Sequence, residues 1–173
     1  MITYILNIYI ETCWISLDLP YNYCMFSNSL EGIGMAKSLS AGVVITNGTS
    51  ILLCHVTGNK HWDLPKGKVE SGEHVLNAAI RECFEETSIK LQEDQLVDLG
   101  IFKYKKDKDL HLFLQLTADM PDTDKLDCSS TFDSGKGIHK KEMDAFANVT
   151  WDKIHKKVLP DMLRVLMEVK DQL

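Results

Sequence analysis

The sequence predicts an α/β fold, an α/β/α sandwich around a mixed β-sheet. Three observations carry that expectation. Two β-branched runs, residues 39–46 and 51–56, flank Asn47-Gly48, a strong hairpin-turn signal. A turn-rich loop holding Pro65, Gly67, Ser71 and Gly72 gives way after Glu73 to apolar residues at helical spacing. A second strand pair and an amphipathic C-terminal helix close the chain. The first helix is expected on one face of the sheet and the last helix on the other.

The chain has 173 residues, 45% apolar and 25% charged, the profile of one soluble globular domain. A net charge of −6 argues against a general binder of nucleic-acid backbones. It leaves a nucleotide open, because a bound divalent cation reverses the local sign. The five cysteines, Cys13, Cys24, Cys54, Cys83 and Cys128, are an odd count with no C-x-x-C pair. They read as reduced thiols of a cytoplasmic protein.

Residues 1–34 contain no Lys or Arg, and Lys37 is the first basic residue. A secretory signal needs a positive start, which this stretch lacks. The apolar run 2–10 is too short to span a bilayer. Met35 opens a segment that reads as a natural domain start. The expectation is an extension over 1–34, outside a catalytic domain over 35–173. The alternative is a hairpin or helix packed on that domain.

Residues 39–46 and 51–56 are strand candidates, and residues 57–60 turn the chain towards the loop. In the helix after Glu73, the expected core stripe is Leu76, Ile80 and Cys83, with Phe84 and Thr87 beside it. Residues 96–104 and 109–118 read as a strand pair across a charged turn. His111 lies among leucines and reads as a paired strand histidine. Residues 120–141 show little periodicity, as expected of a lid or a disordered loop. Residues 145–151 read as a short strand, and 151–157 and 160–169 as helical. Met162, Val165, Leu166 and Val169 form the buried stripe of the last helix, and Pro160 suits its first turn.

The chemistry concentrates in the helix. Glu82, Glu85 and Glu86 stand at i, i+3 and i+4, so they share a side and repel by roughly 0.2–0.5 kcal/mol per pair. One remedy is a divalent cation, since Mg²⁺ prefers carboxylate oxygens and substrate phosphates. The bland alternative is a solvated acidic face.

The spacing decides between them. Gly67, Glu73, Arg81, Glu82, Cys83, Glu85, Glu86 and Ile89 match G-x5-E-x7-R-E-U-x-E-E-x-G-U, where U is bulky and apolar. This resembles the signature of the Nudix hydrolases, with Cys83 a small residue at an apolar slot. Ser88 stands where that family has Gly, a position expected to close the helix in a left-handed conformation at a cost of about 1 kcal/mol. The resemblance implies a Nudix-type fold and a hydrolase that cleaves a diphosphate bond with Mg²⁺ or Mn²⁺. It implies Glu82, Glu85, Glu86 and the Gly67 carbonyl as metal ligands. Glu85 or Glu86 doubles as the base, a choice the sequence leaves open. Arg81 orients a catalytic glutamate, and Glu73 ties the loop to the helix. Such enzymes also borrow a later acidic residue. Glu142 is the candidate, with Asp144 close by; the alternative is a solvated charge.

The segment Trp62-Asp63-Leu64-Pro65-Lys66-Gly67 resembles Nudix enzymes acting on dinucleoside polyphosphates, 5′-phosphorylated RNA ends or diphosphoinositol phosphates. The best expectation is one of the first two. A (d)NTP or ADP-ribose pyrophosphatase, or a weakly catalytic nucleotide sensor, is the alternative. Lys66 and Lys68 suit additional phosphates. Trp62 suits stacking on a base or anchoring the loop, and Tyr104 lies in a segment placed to face a nucleotide. The expected partner is a nucleotide-type small molecule, with an RNA 5′ end as one form, and no membrane.

Overall fold

Alternation of apolar residues builds a sheet with two buried faces. The computed structural model describes residues 37–135 and 137–173; the expected extension over 1–34 lies outside the described residues. Strand β1 (Ser38–Thr46) sends Ala41, Val43 and Ile45 to one face and Val44 to the other. Strand β2 (Ser50–Val56) sends Leu52 to the first face and Ile51 and Leu53 to the second. Two short strands, β3 (Trp62–Asp63) and β4 (Lys66–Lys68), follow. Helix α1 (Val75–Thr87) then crosses the first face. Strands β5 (Val97–Lys105) and β6 (Lys108–Leu116) form an antiparallel hairpin. After β7 (Thr131–Asp133), β8 (His139–Lys141) and β9 (Met143–Thr150), helix α2 (Pro160–Lys170) covers the second face.

The main sheet runs β3-β2-β1-β6-β5, with β4 also on β1 and β9 also on β2. It is mixed, because β1 and β6 pair in parallel from Ser38↔Lys108 to Thr46↔Leu116. The Asn47-Gly48 turn forms, with Asn47 Oδ1 accepting the amides of Thr49 and Ser50. The strands it joins share a single register pair, Thr46↔Ile51. Beyond it β1 takes β4 and β6, whereas β2 takes β3 and β9. The sequence signal therefore marks a turn between two diverging ribbons and not a long hairpin.

The α2 stripe is as expected: Met162, Val165, Leu166 and Val169 are buried. It packs on Phe102, Tyr104, Leu110 and Leu112. The α1 stripe differs. Its buried residues are Ala78, Ala79, Cys83, Glu86 and Thr87, while Phe84 is 43% exposed and Ile80 only half-buried. Alanines let the helix lie close on β1, which rotates the larger residues outward. Residues 151–157 are not a helix but a turn followed by one 3₁₀ turn, Ile154–Lys156. Lys157 gives its carbonyl to the Trp62 amide, and Leu159 before Pro160 is extended.

The stretch 120–141 is not structureless. It holds a 3₁₀ turn, Thr123–Lys125, and the β7–β8 hairpin, too short for any period to show. His111 is a paired strand histidine: its Nε2 lies 2.6 Å from Asp98 Oδ1, and its ring stacks on Phe113. Cys54, Cys83 and Cys128 are free and buried; Cys13 and Cys24 lie outside the described residues. Among the described residues no helix is long and apolar enough to cross a membrane.

Gly42 fixes how closely the loop before α1 rides on β1. A Cβ there would stand 2.8 Å from the Pro65 carbonyl oxygen and 2.6 Å from Lys66 Cβ. Gly42→Ala therefore must push β4 off β1. The expected loss is about 1–3 kcal/mol of stability by urea unfolding, the range for overpacking. A variant with unchanged stability would contradict this packing.

Candidate active site

The loop between β3 and α1 is tied down at both ends. Leu64 is fully buried, and the Pro65 carbonyl accepts the Val43 amide at 3.1 Å. The Glu73 carboxylate accepts the Glu70 amide at 3.0 Å, closing the turn before the helix. Arg81 then gathers groups that the sequence spreads from Lys68 to Glu85. Its Nε and Nη2 donate to both oxygens of Glu73 at 2.8 and 2.9 Å. Its Nη1 donates to Glu82 at 2.8 Å and Glu85 at 3.2 Å, and Nη2 also reaches the Lys68 carbonyl at 3.2 Å. A planar guanidinium suits such a multi-pronged tie, which an ammonium cannot reproduce. The hydrogen bond from Arg81 holds the Glu73 carboxyl down to about 2.

The three glutamates stand in different surroundings. The Glu85 side chain is 40% exposed and leans on Arg81. Glu82 is half-buried, and burial pushes its carboxyl above the usual range against the pull of Arg81. Its carboxylate lies directly over Gly67, where an added Cβ would stand 2.0 Å from Glu82 Cδ. Only glycine permits that approach. Glu86 is 2% exposed and accepts the Lys66 amide at 2.9 Å. Burial pushes it up to about 8, with Lys66 opposing and Glu82 and Glu142 adding to the rise. The expectation that all three share the side away from the apolar stripe is therefore corrected for Glu86, which is buried with that stripe beneath the loop.

Ser88 ends the helix as the sequence implies, in the left-handed region at φ 63°. Its amide donates to the Phe84 carbonyl at 2.8 Å, and its Oγ donates to the Asp127 carbonyl at 2.9 Å. The second bond gives the serine a role that glycine cannot fill. The helix end is satisfied by the same distant segment: Ser129 N donates to the Glu85 carbonyl at 2.7 Å. From there the backbone carries on, with Glu142 N donating to Ser130 O at 3.0 Å and Thr57 N to Glu142 O at 2.9 Å. That relay brings Glu142 beside the acids of α1.

A cavity of about 400 Å³ opens there, with Asp63, Lys66, Glu86 and Glu142 on its wall. Lys66 Nζ pairs with Asp63 at 2.9 Å. Burial works against the Lys66 charge, yet Asp63 raises its pKa above the ordinary lysine value. Lys68 is exposed on the outer side of β4. Asp144 points elsewhere, onto His55. Trp62 is half-buried, edge-on to His55 at 5.2 Å between ring centroids, with Lys157 Nζ 4.6 Å from its ring centroid. Its ring packs against the α2-side core. Tyr104 is 4% exposed in the α2-side core and is not brought to the cavity, which corrects the expectation that it faces a nucleotide. Sequence reading missed Asp63, a buried acid whose partner sits three residues on.

Among the described residues no three His, Cys, Asp or Glu side chains converge on one point at ligand distances. The donor set nonetheless suits a hard divalent cation. Carboxylates are its preferred ligands, the Gly67 backbone is open against Glu82, and the buried Glu86 resists ionisation without added positive charge.

The fold and these residues define a Nudix domain, and the chain belongs to the NUDIX domain family, whose model matches residues 36–162. Members of that family are typically dependent on divalent metals. It is 36% identical over 141 residues to the "Uncharacterized 17.7 kDa protein in e-segB intergenic region" of Enterobacteria phage T4, covering 75% of this chain and 93% of that one. It is 29% identical over 154 residues to an RNA pyrophosphohydrolase of Azorhizobium caulinodans, covering 78% and 79%. A bifunctional NMN adenylyltransferase/ADP ribose pyrophosphatase of Francisella tularensis, solved with AMP and a Mn ion, shares the fold. There the TM-score is 0.61 and the identity 18%, with 79% of this chain and 42% of that one covered.

The raised pKa of Glu86 gives a stability test. Its folded value, about 8, lies above the ordinary carboxyl value of 4.5, so the folded protein holds the extra proton between them. Stability of the chelator-treated protein should therefore fall as pH rises through that window. Glu86→Gln should flatten the fall. Urea unfolding in EDTA across the window checks this, and an unchanged slope in the variant would contradict it.

Proposed function

We propose that the chain hydrolyses a diphosphate bond in a nucleoside 5′-polyphosphate, with a dinucleoside polyphosphate or a 5′-phosphorylated RNA end as substrate. The observation that carries the reading is that Glu142, from a segment some sixty residues later, shares a cavity wall with Glu86 of α1, while Arg81 holds the neighbouring Glu82 and Glu85. The likeness to an RNA pyrophosphohydrolase over most of both chains supports the same class. Glu82, Glu85, Glu86 and the Gly67 carbonyl would hold Mg²⁺ or Mn²⁺, which would supply charge neutralisation and an acidified water.

The chain's own residues do the rest. Arg81 fixes the Glu82 and Glu85 carboxylates, so they need no reorganisation when the substrate enters. Lys66, at the cavity wall, and Lys68, on the outer side of β4, meet phosphate oxygens as point charges. A carboxylate on the wall, Glu86 or Glu142, receives the proton of the attacking water. Asp63 holds the Lys66 ammonium in place through its 2.9 Å pair.

The test is a panel of dinucleoside polyphosphates, 5′-triphosphorylated RNA, (d)NTPs and ADP-ribose with Mg²⁺, read as phosphate or nucleotide release. One of the first two should be the preferred substrate. Glu85→Gln should lower kcat by on the order of 10²–10⁴-fold, and Glu142→Gln should act in the same direction. Binding without turnover in the parent would sink the hydrolase reading and favour a nucleotide sensor.

A further inference from the structure

Among the described residues Ser88 is the one non-glycine residue with a positive φ. A serine held in the left-handed region carries a cost that the glycine of the family pattern avoids. What the serine gains is a long-range bond. Its Oγ donates to the Asp127 carbonyl at 2.9 Å, across 39 residues of sequence. Four more bonds fasten the same segment to the end of α1. Asp127 N donates to the Thr87 carbonyl at 3.4 Å. Ser129 N and Ser129 Oγ donate to the Glu85 carbonyl at 2.7 and 3.0 Å, and Ser130 N reaches that oxygen at 3.3 Å. The last carbonyls of a helix have no partner within it. Here a distant segment supplies the partners.

The fastened segment carries Glu142. Ser130 O accepts the Glu142 amide at 3.0 Å, one step beyond the Thr131↔Lys141 pair of the β7–β8 hairpin. Asp127 and Lys141 form an ion pair across the same gap. Cys128 is 1% exposed and packs with Cys54 and Met143, which seats the segment on the sheet. Phe132 of β7 and Glu142 then line the cavity that Glu86 lines from the helix. Glu142 is thus held from two sides, its carbonyl by the Thr57 amide and its amide by Ser130. Only the second hold is tied to the helix that bears the other acids.

We infer that Ser88 is a positioning residue for Glu142: its hydroxyl fastens residues 127–130 to α1 and so fixes the reach from Glu142 to the acids of that helix. The consequence for turnover rests on the hydrolase reading above. A glycine at this position would end the helix as well and leave the fastening undone.

Two measurements on the full chain test it. The first is steady-state kinetics with Mg²⁺ on diadenosine tetraphosphate and on 5′-triphosphorylated RNA. Ser88→Gly and Ser88→Ala should both lower kcat by roughly tenfold with KM little changed, less than the loss of about 10²-fold for a group misplaced by a full ångström. The two variants differ in stability, because glycine relieves the left-handed backbone and alanine does not. An equal loss in kcat therefore separates placement from stability. In a Glu142→Gln background neither substitution should slow turnover further, since the group they place is already gone. The second is amide hydrogen exchange without metal or substrate. In Ser88→Gly the amides of Ser129, Ser130 and Glu142 should exchange roughly fivefold faster, the effect of one lost hydrogen bond, while those of β1 and β6 keep parental rates. Parental kcat in Ser88→Gly, the full further loss in the Glu142→Gln background, or unchanged exchange at those amides would each overturn the inference. If the parent cleaves neither substrate, the hydrolase reading fails on its own, and exchange alone decides whether Ser88 holds Glu142.

Discussion

One guanidinium sets the geometry on which the acids depend. Arg81 bonds Glu73 through two nitrogens, reaches Glu82 and Glu85 through a third, and closes on the Lys68 carbonyl. Loop, helix start and helix middle are thereby pinned to one plane. The repulsion between Glu82 and Glu85 is absorbed by the same cation. Charge-assisted bonds of this kind are about twice as strong as neutral ones and fix direction as well as distance. A lysine at this position would supply the charge and lose the fork.

The second constraint is backbone and not side chain. Four hydrogen bonds run from the end of α1 to the turn after β2, through Ser129, Ser130, Glu142 and Thr57. They join the motif helix, the β7–β8 hairpin and β2 at one place. Ser88 strengthens this join, because its hydroxyl bonds the Asp127 carbonyl that leads into the relay. The residue that departs from the family pattern has been given work at the very junction where that pattern places a glycine.

Much of this was legible in the sequence where a period or a fixed spacing carried it. The box from Gly67 to Ile89 named the acids, the arginine and the left-handed helix end. The α2 stripe was read residue for residue, since eleven residues give three turns of period. Glu142 was a candidate on the family resemblance alone, and the structure sets it on the cavity wall. What escaped has physical reasons. A three-residue strand has no period, so β7 and β8, and with them Phe132, were read as loop. The helical wheel shows which residues share a face but not which face meets the sheet. Small alanines decided that, turning Phe84 out and Glu86 in. Tyr104 falls in a strand whose alternation shifts at the Gly100 irregularity, and the shift sends its ring to the core.

The central claim is that Arg81 holds the acids ready for a hard cation, and the direct measurement is Mn²⁺ uptake followed by electron paramagnetic resonance with nucleotide present. The parent chain should bind Mn²⁺ in competition with Mg²⁺, and Arg81→Lys, which keeps the charge but not the fork, should bind it at least about tenfold more weakly, as expected when a group that orients metal ligands is lost. A parent that takes up no Mn²⁺, or an Arg81→Lys chain that binds it as the parent does, would contradict the account.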